Sequence, residues 1–314
     1  MGAMKGRGGK ALKVGIQLPE VEREVRWPEL ATMARLAEDV GFDALWVGDH
    51  LLYRNPGEPA RGPWEAWSQL AALAAITGRV AIGPLVAATS FHSPAMLAKK
   101  AATVEEISGG RLILGLGAGW NPVEYAAFGF PYDHRVSRFE EAFTIIRTLL
   151  REGAIDFDGD YYQVRECEIL PRGPRPEGPP LMVGSQGARM LRITMPHVNA
   201  WNAWHDWYAN DVEALPAVLA KVDAACAEVG RDAREVVRTT TVLVQLPGGA
   251  GRASGNAEKR GATPVRGSSE AIAARLRAYA DHGIGEVQLV LDPITADSIE
   301  RLAPVLALLR EQGT

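Results

Sequence analysis

Val14-Gly15-Ile16-Gln17-Leu18-Pro19-Glu20 is the stretch whose reading decides the fold. Val14–Leu18 is a short apolar run of the kind that forms a strand in a buried parallel sheet. A dinucleotide-binding half would leave that strand through a Gly-x-Gly-x-x-Gly turn, with the glycines letting a backbone approach a pyrophosphate. Here the turn reads Gln17-Leu18-Pro19-Glu20. The only glycine ladder, Gly115-Leu116-Gly117-Ala118-Gly119, lacks the third glycine at the required spacing and runs into Trp120 rather than a helix. The open, doubly wound sheet is therefore disfavoured, and the closed (β/α)8 barrel is the expected fold.

Working outward from that strand, apolar runs alternate with segments of helical period along the whole chain. Pro28–Val40 is a predicted helix with proline in its first turn, an apolar face of Leu30, Met33, Ala34 and Ala37, and a stop at Gly41. The pairs that follow are Ala44–Val47 with Trp64–Thr77, Val80–Val86 with Ser93–Ser108, and Leu112–Leu116 with Arg138–Glu152. Ser93 is expected to cap its helix ahead of Pro94. Ile155–Val164 carries Asp158-Gly159 between apolar and aromatic residues and reads as an inserted hairpin. Leu181–Val183 leads into Ala188–Met195, Asn199–Trp201 into Asp211–Val229, Val236–Leu246 into Glu270–Ala280 with a serine cap, and Glu286–Leu291 into Ile299–Glu311. Residues 12–314 are thus expected to form one barrel domain, with Met1–Ala11 a frayed tail and Pro247–Arg266 a mobile, aperiodic loop.

Composition narrows the function classes. The 314 residues carry 34 basic and 38 acidic side chains, a net charge of −4, with 47% hydrophobic and 23% charged residues. That is the balance of a soluble globular protein, with no basic stripe to neutralise nucleic-acid phosphates. No window approaches the roughly 18 to 20 apolar residues of a membrane span, and Met1–Lys10 lacks the apolar core of a signal peptide, so a cytoplasmic protein is expected. Two cysteines, Cys167 and Cys226, support neither a disulfide framework nor a thiolate site, and the histidines have no metal-ligand spacing; no metal is expected.

In a (β/α)8 barrel the chemistry belongs at the carboxyl ends of the strands, because those loops converge on one mouth. Asp49-His50 follows Ala44–Gly48 directly and puts a carboxylate and an imidazole there, either for acid–base work or as a cap beside a loop histidine. Gly184-Ser185-Gln186-Gly187-Ala188-Arg189 follows Leu181–Val183 and enters a helix, which suits an anion such as a phosphate ester or a plain serine-capped turn. Gly83–Thr89 ends the third strand in small residues, and Pro84 within it removes a ladder donor and suggests a bulge. Each tryptophan, taken singly, is more readily explained by packing than by ligand contact.

The runs Ala44–Leu51, Ser93–Thr103, Ile107–Leu112 and Gly115–Trp120, most specifically Leu97–Trp120, make the chain from Lys13 to about Leu309 resemble the bacterial luciferase-like flavin and deazaflavin oxidoreductases, above all their coenzyme F420-dependent group. The resemblance implies a barrel holding a flavin-like ring in its mouth. His50 then becomes the residue that gives or takes a proton, with Asp49 setting its orientation and charge. Leu85, Val86 and Ala88 back the ring through a bulge with a non-prolyl cis peptide, Gln17, Trp120 and Glu124 lie near it, and Gly184, Ser185, Gln186, Gly187, Ala188 and Arg189 contact the cofactor phosphate. Arg189 and Arg192, with Arg54 and Arg61 on a lid, would serve a long anionic tail. The implied activity is hydride transfer between C5 of F420 and a small organic substrate. The alternatives are an FMN-dependent monooxygenase on the same barrel and a non-catalytic flavin- or F420-binding protein. The lid segments Leu52–Pro63, Tyr125–Val136 and Pro247–Arg266 are expected to shape specificity. A homodimer is also implied, with contacts from the helix faces around Trp64–Thr77 and Ser93–Ser108.

Overall fold

A computed structural model describes residues 12–251 and 262–311. The strands are β1 (Lys13–Gln17), β2 (Ala44–Val47), β3 (Ala81–Pro84), β4 (Ala87–Ala88), β5 (Leu114–Gly117), β6 (Ala154–Asp158), β7 (Gln163–Glu168), β8 (Leu181–Val183), β9 (Ala200–Ala203), β10 (Val237–Gln245) and β11 (Glu286–Asp292). The helices are α1 (Trp27–Val40), α2 (Ala66–Ile76), α3 (Pro94–Ile107), α4 (Pro122–Phe128), α5 (Arg135–Glu152), α6 (Ala188–Thr194), α7 (Leu215–Glu228), α8 (Ser269–Asp281), α9 (Ala296–Glu300) and α10 (Ala303–Glu311).

Nine strands form one parallel sheet in the order β3-β2-β1-β11-β10-β9-β8-β5-β4. β3 and β4 are two pieces of one stave, interrupted at Leu85-Val86, where the peptide bond is cis. The sheet closes on itself through a parallel bridge between Ile82 and Leu112, with Ile82 N–H donating to the Arg111 carbonyl at 3.1 Å and Ile113 N–H to the Ile82 carbonyl at 2.8 Å. The result is a (β/α)8 barrel, with β6 and β7 paired separately as the antiparallel hairpin.

Period-two alternation sorts the side chains. On β2, Leu45 and Val47 join the large core between barrel and helices, whereas Ala44 and Trp46 point inward to a smaller cluster with Ile113, Met182, Ala200 and Val237. On β9, Trp201 and Ala203 face outward, which leaves Asn202 inside the barrel. The glycines of the ladder serve this packing. A Cβ on Gly117 would stand 2.7 Å from Val86 Cγ2 and one on Gly115 3.0 Å from Val86 Cγ1, so the ladder makes room for the interrupted stave.

Several boundaries differ from the sequence reading for local reasons. α2 starts at Ala66 rather than Trp64, because the Glu65 carboxylate accepts from Trp67 N–H (3.1 Å) and Ser68 N–H (2.7 Å) and so caps the helix there. Ser93 occupies the cap position of α3, but its hydroxyl makes no capping bond, and Pro94 opens the helix. α5 begins at Arg135, before the expected Arg138, and α4, which runs into the start of the expected lid Tyr125–Val136, is an additional helix. α4 is signalled by Asn121, which accepts from Val123 N–H, then Pro122, with Gly129 at φ 75° as the stop. The segment Asp211–Val229 divides into a short 3-10 turn and α7, and Ile299–Glu311 spans the end of α9 and α10. Ser268 does cap α8. Of the expected loop Pro247–Arg266, Val265 pairs with Val244 on β10, while much of the rest, like Met1–Ala11, lies outside the described residues. Among the described residues no helix is long and apolar enough to cross a membrane.

Candidate active site

A cavity of about 500 Å³ opens at the carboxyl ends of the strands. That is the size range of small-molecule sites. His50 enters it from the end of β2, with its side chain 20% exposed. His50 Nδ1–H donates to Glu124, 3.0 Å from Oε2 and 3.2 Å from Oε1. A carboxylate only accepts, so this contact puts a proton on Nδ1 and leaves Nε2 as the nitrogen available for exchange. Glu124 is fully buried and also accepts from the backbone N–H groups of Leu51 (2.5 Å) and Leu52 (3.2 Å). The short helix α4 thus delivers one carboxylate that clamps the loop carrying His50.

A second carboxylate approaches from the end of β1. Glu20 Oε1 accepts from the Tyr53 hydroxyl at 2.6 Å and Oε2 from Gln17 Nε2 at 2.7 Å. A Cβ on Gly48 would collide with the Glu20 carboxylate, so glycine at 48 lets this acid pack beside Asp49-His50. Burial by itself lowers the His50 pKa. The charges of Glu20, Glu124 and Asp49 and the Glu124 hydrogen bond outweigh it, and the pKa is raised above the usual 6.5. Burial raises the Glu124 pKa, but the hydrogen bond and charge of His50 and the two backbone donors outweigh that, and it is lowered. Both shifts favour the imidazolium–carboxylate form of the pair.

Asp49 does not orient His50, as the sequence reading expected; Glu124 does. Asp49 Oδ2 accepts from Ala88 N–H and from His92 Nε2–H, both at 2.9 Å. Successive side chains at a strand end point to opposite sides, so His50 and Asp49 take different partners. Asp49 thereby pins β4, the piece of the stave that follows the Leu85-Val86 interruption.

Leu85, Val86 and Ala88 line one wall, and Gly184, Ser185, Gln186 and Gly187 line another. The turn at 184–187 is tied to β9 by Trp201 Nε1–H donating to the Ser185 carbonyl at 2.6 Å. Trp120 stands 44% exposed at the rim, edge-on to His50 at 5.7 Å between ring centroids. Three residues of the expected set do not line the cavity. Gln17 is buried beneath Glu20, Ala188 begins α6, and Arg189 turns outward to Glu140 Oε2 at 2.7 Å. Arg192 likewise pairs with Glu228, and Arg61 with Glu58 and the Val21 carbonyl. The guanidinium that does line the cavity is Arg135, whose Nη1–H donates to the Gly119 carbonyl at 2.7 Å beneath the Tyr132 ring. Glu20, Tyr53, Arg135 and Asn202 also line the cavity and were not singled out by the sequence, and Trp204 lines it although packing is the readier reading of any single tryptophan. Glu20 was legible as the last residue of the deciding turn; Tyr53 and Arg135 fall in the expected lid segments without being distinguished there, Arg135 opening α5, and Asn202 lies inside β9 with no local signal.

A luciferase-like monooxygenase family model matches residues 12–248. A 5,10-methylenetetrahydromethanopterin reductase of Archaeoglobus fulgidus is 34% identical over 182 residues, 58% of this chain and 50% of that protein. An F420-dependent glucose-6-phosphate dehydrogenase of Amycolatopsis mediterranei is 37% identical over 171 residues, 52% of this chain and 50% of that protein. A pyrimidine monooxygenase of Cronobacter sakazakii is 32% identical over 173 residues, covering 54% and 50%. These alignments span about half the length of each curated relative. Among solved structures, an F420-dependent secondary alcohol dehydrogenase with an F420–acetone adduct superposes with a TM-score of 0.77 at 18% identity, over 96% of this chain and 99% of that one.

Proposed function

The chain belongs to the luciferase-like monooxygenase family, and from that premise we propose that it is an F420-dependent oxidoreductase acting on a small organic substrate. One observation carries the reading: the His50–Glu124 pair, the Leu85-Val86 wall and the Gly184–Gly187 turn all open into one cavity. The relative named as an F420-dependent glucose-6-phosphate dehydrogenase supports the choice of cofactor.

The residues fit a ring with a phosphate-bearing arm. The wall offers apolar side chains and backbone to a flat ring, and Gly187 carries no side chain at the entrance to α6, where first-turn N–H groups lack helical acceptors. Arg135 rather than Arg189 is the cavity's guanidinium. When bound, the cofactor supplies a two-electron hydride donor or acceptor. His50 holds the accompanying proton at Nε2, Glu124 fixes the imidazole by its Nδ1–H, and Glu20 and Asp49 favour the charged form. Trp120 and Tyr53 flank the His50 ring.

Titrating the purified protein with F420 and with FMN tests the reading. The expected result is tighter binding of F420, with turnover when a panel of alcohols, enones and imines is added. A clear preference for FMN replaces it with the monooxygenase reading, and tight F420 binding without turnover of any panel member reduces the protein to a carrier.

A further inference from the structure

A column of polar side chains runs up the barrel interior from Glu286, the first residue of β11, to the cavity. Its hydrogen-bond directions follow from one end. The Trp46 indole N–H can only donate, and it donates to Glu286 Oε1 at 3.0 Å. As a carboxylate, or as an acid protonated on Oε2, Glu286 offers Oε1 only as an acceptor. The Gln288 amide approaches the same oxygen at 3.3 Å and therefore presents Nε2–H to it. Gln288 Oε1 is then turned toward Asn202 and accepts from Nδ2 at 2.8 Å. The second Nδ2 hydrogen goes to Thr239 Oγ1 at 2.9 Å, and the Thr239 hydroxyl donates onward to the Trp201 carbonyl at 3.2 Å.

Both hydrogens of the Asn202 amide are spent below the cavity. Flipping the amide would set its oxygen against Gln288 Oε1, two acceptors face to face. Asn202 is only 3% exposed, yet it lines the cavity, and Oδ1 is the polar atom it has left to offer there. A buried acceptor of this kind rewards a ligand donor and penalises its absence.

We infer that Asn202 Oδ1 is a fixed acceptor at the cavity floor that binds the pyrimidine imide N–H of the cofactor ring. That imide is the one N–H of the oxidised tricycle in both F420 and FMN, so the assignment holds for either, although it rests on the proposal that the cavity takes such a ring. Trp46, Glu286 and Gln288 are positioning residues that act through Asn202.

The test compares parent FMN and F420 with their N3-methylated forms on wild type and on Asn202→Leu. Leucine matches asparagine in size and removes the acceptor. Wild type is expected to bind the parent ring at least tenfold more tightly than the N3-methyl ring. Asn202→Leu is expected to lose roughly tenfold to a hundredfold for the parent and little for the methylated ring. Equal losses for both rings, or none for the parent, overturn the inference. If the variant fails to fold, ¹⁵N-labelled FMN on wild type serves instead: an N3–H signal protected from solvent exchange supports the contact, and one exchanging as in free FMN overturns it. Failure of wild type to bind either parent ring sinks the cofactor reading itself, which is a separate outcome.

Discussion

Two histidine–carboxylate pairs meet at the end of β2, and they do different work. His50–Glu124 is 3.0 Å long and His92–Asp49 is 2.9 Å long, so distance does not tell them apart. Surroundings do. The His50 side chain is 20% exposed and opens to the cavity, whereas that of His92 is 9% exposed and lies edge-on to Trp67 outside the cavity lining. Glu124 spends its remaining capacity on the loop that carries His50, and Asp49 spends its own on the backbone of Ala88. On the proposed function, one pair holds a proton where a substrate would reach it, and the other fastens the wall against which a ring would lie.

The largest effect expected from that division is at His50. Replacing it with alanine should lower turnover by about 10² to 10⁴-fold while changing cofactor affinity little, read by steady-state kinetics beside a binding titration. The pH profile carries the same signature. With the His50 pKa raised above 6.5, activity in the direction that needs a proton donor should stay high past that value and fall as pH rises through the raised pKa. Stability follows with the same sign: the contribution of the charged pair is complete below the unfolded pKa and is lost as pH climbs through the folded one. His50→Ala should flatten both. If the variant kept a wild-type profile, another group would be the acid.

Asp49→Asn should act on the other side of the comparison. It weakens the hold on Ala88 N–H and removes the charge facing His92, and about 1 to 3 kcal/mol is the usual consequence of leaving such a buried group poorly paired. The expected reading is a rise in cofactor Kd of roughly tenfold to a hundredfold with a smaller change in kcat. A large kcat loss at unchanged Kd would move Asp49 into the proton-handling pair.

The smallest effect is expected at His92→Gln, which keeps a donor for Asp49. Turnover and cofactor affinity should each change by only a few-fold, on the order of 1 kcal/mol or less. A loss matching that of His50→Ala would erase the distinction between the pairs.

Much of the frame was legible in the chain because it is written locally. Val14–Leu18, Ala44–Val47 and Leu181–Val183 announce strands by composition, Gly41 and Ser268 mark helix ends by their conformational preferences, and the turn after β1 rules out a dinucleotide fold without any tertiary knowledge. α4 was missed although Asn121-Pro122 and Gly129 frame it, because its 7 residues are too few to show a period. The carboxylate of Glu124 was named from resemblance, but its partnership with His50 spans 74 positions, and no spacing rule reaches that far. Arg189 was misplaced for a related reason: a residue at a helix start can face the ligand or the neighbouring helix, and Glu140 on α5 decided the matter.

The sequence by itself determined the number and order of the strand–helix units, and it put Asp49 and His50 together at a strand end. It could do so because backbone periodicity and turn chemistry depend on neighbours in the chain. Only the tertiary structure decided that these adjacent residues part company, His50 to Glu124 and Asp49 to His92 and Ala88, and that Asn202 is turned by Trp46 through Glu286 and Gln288. Those choices arise when barrel closure brings distant donors and acceptors within about 3 Å, where burial leaves each polar group no water to fall back on.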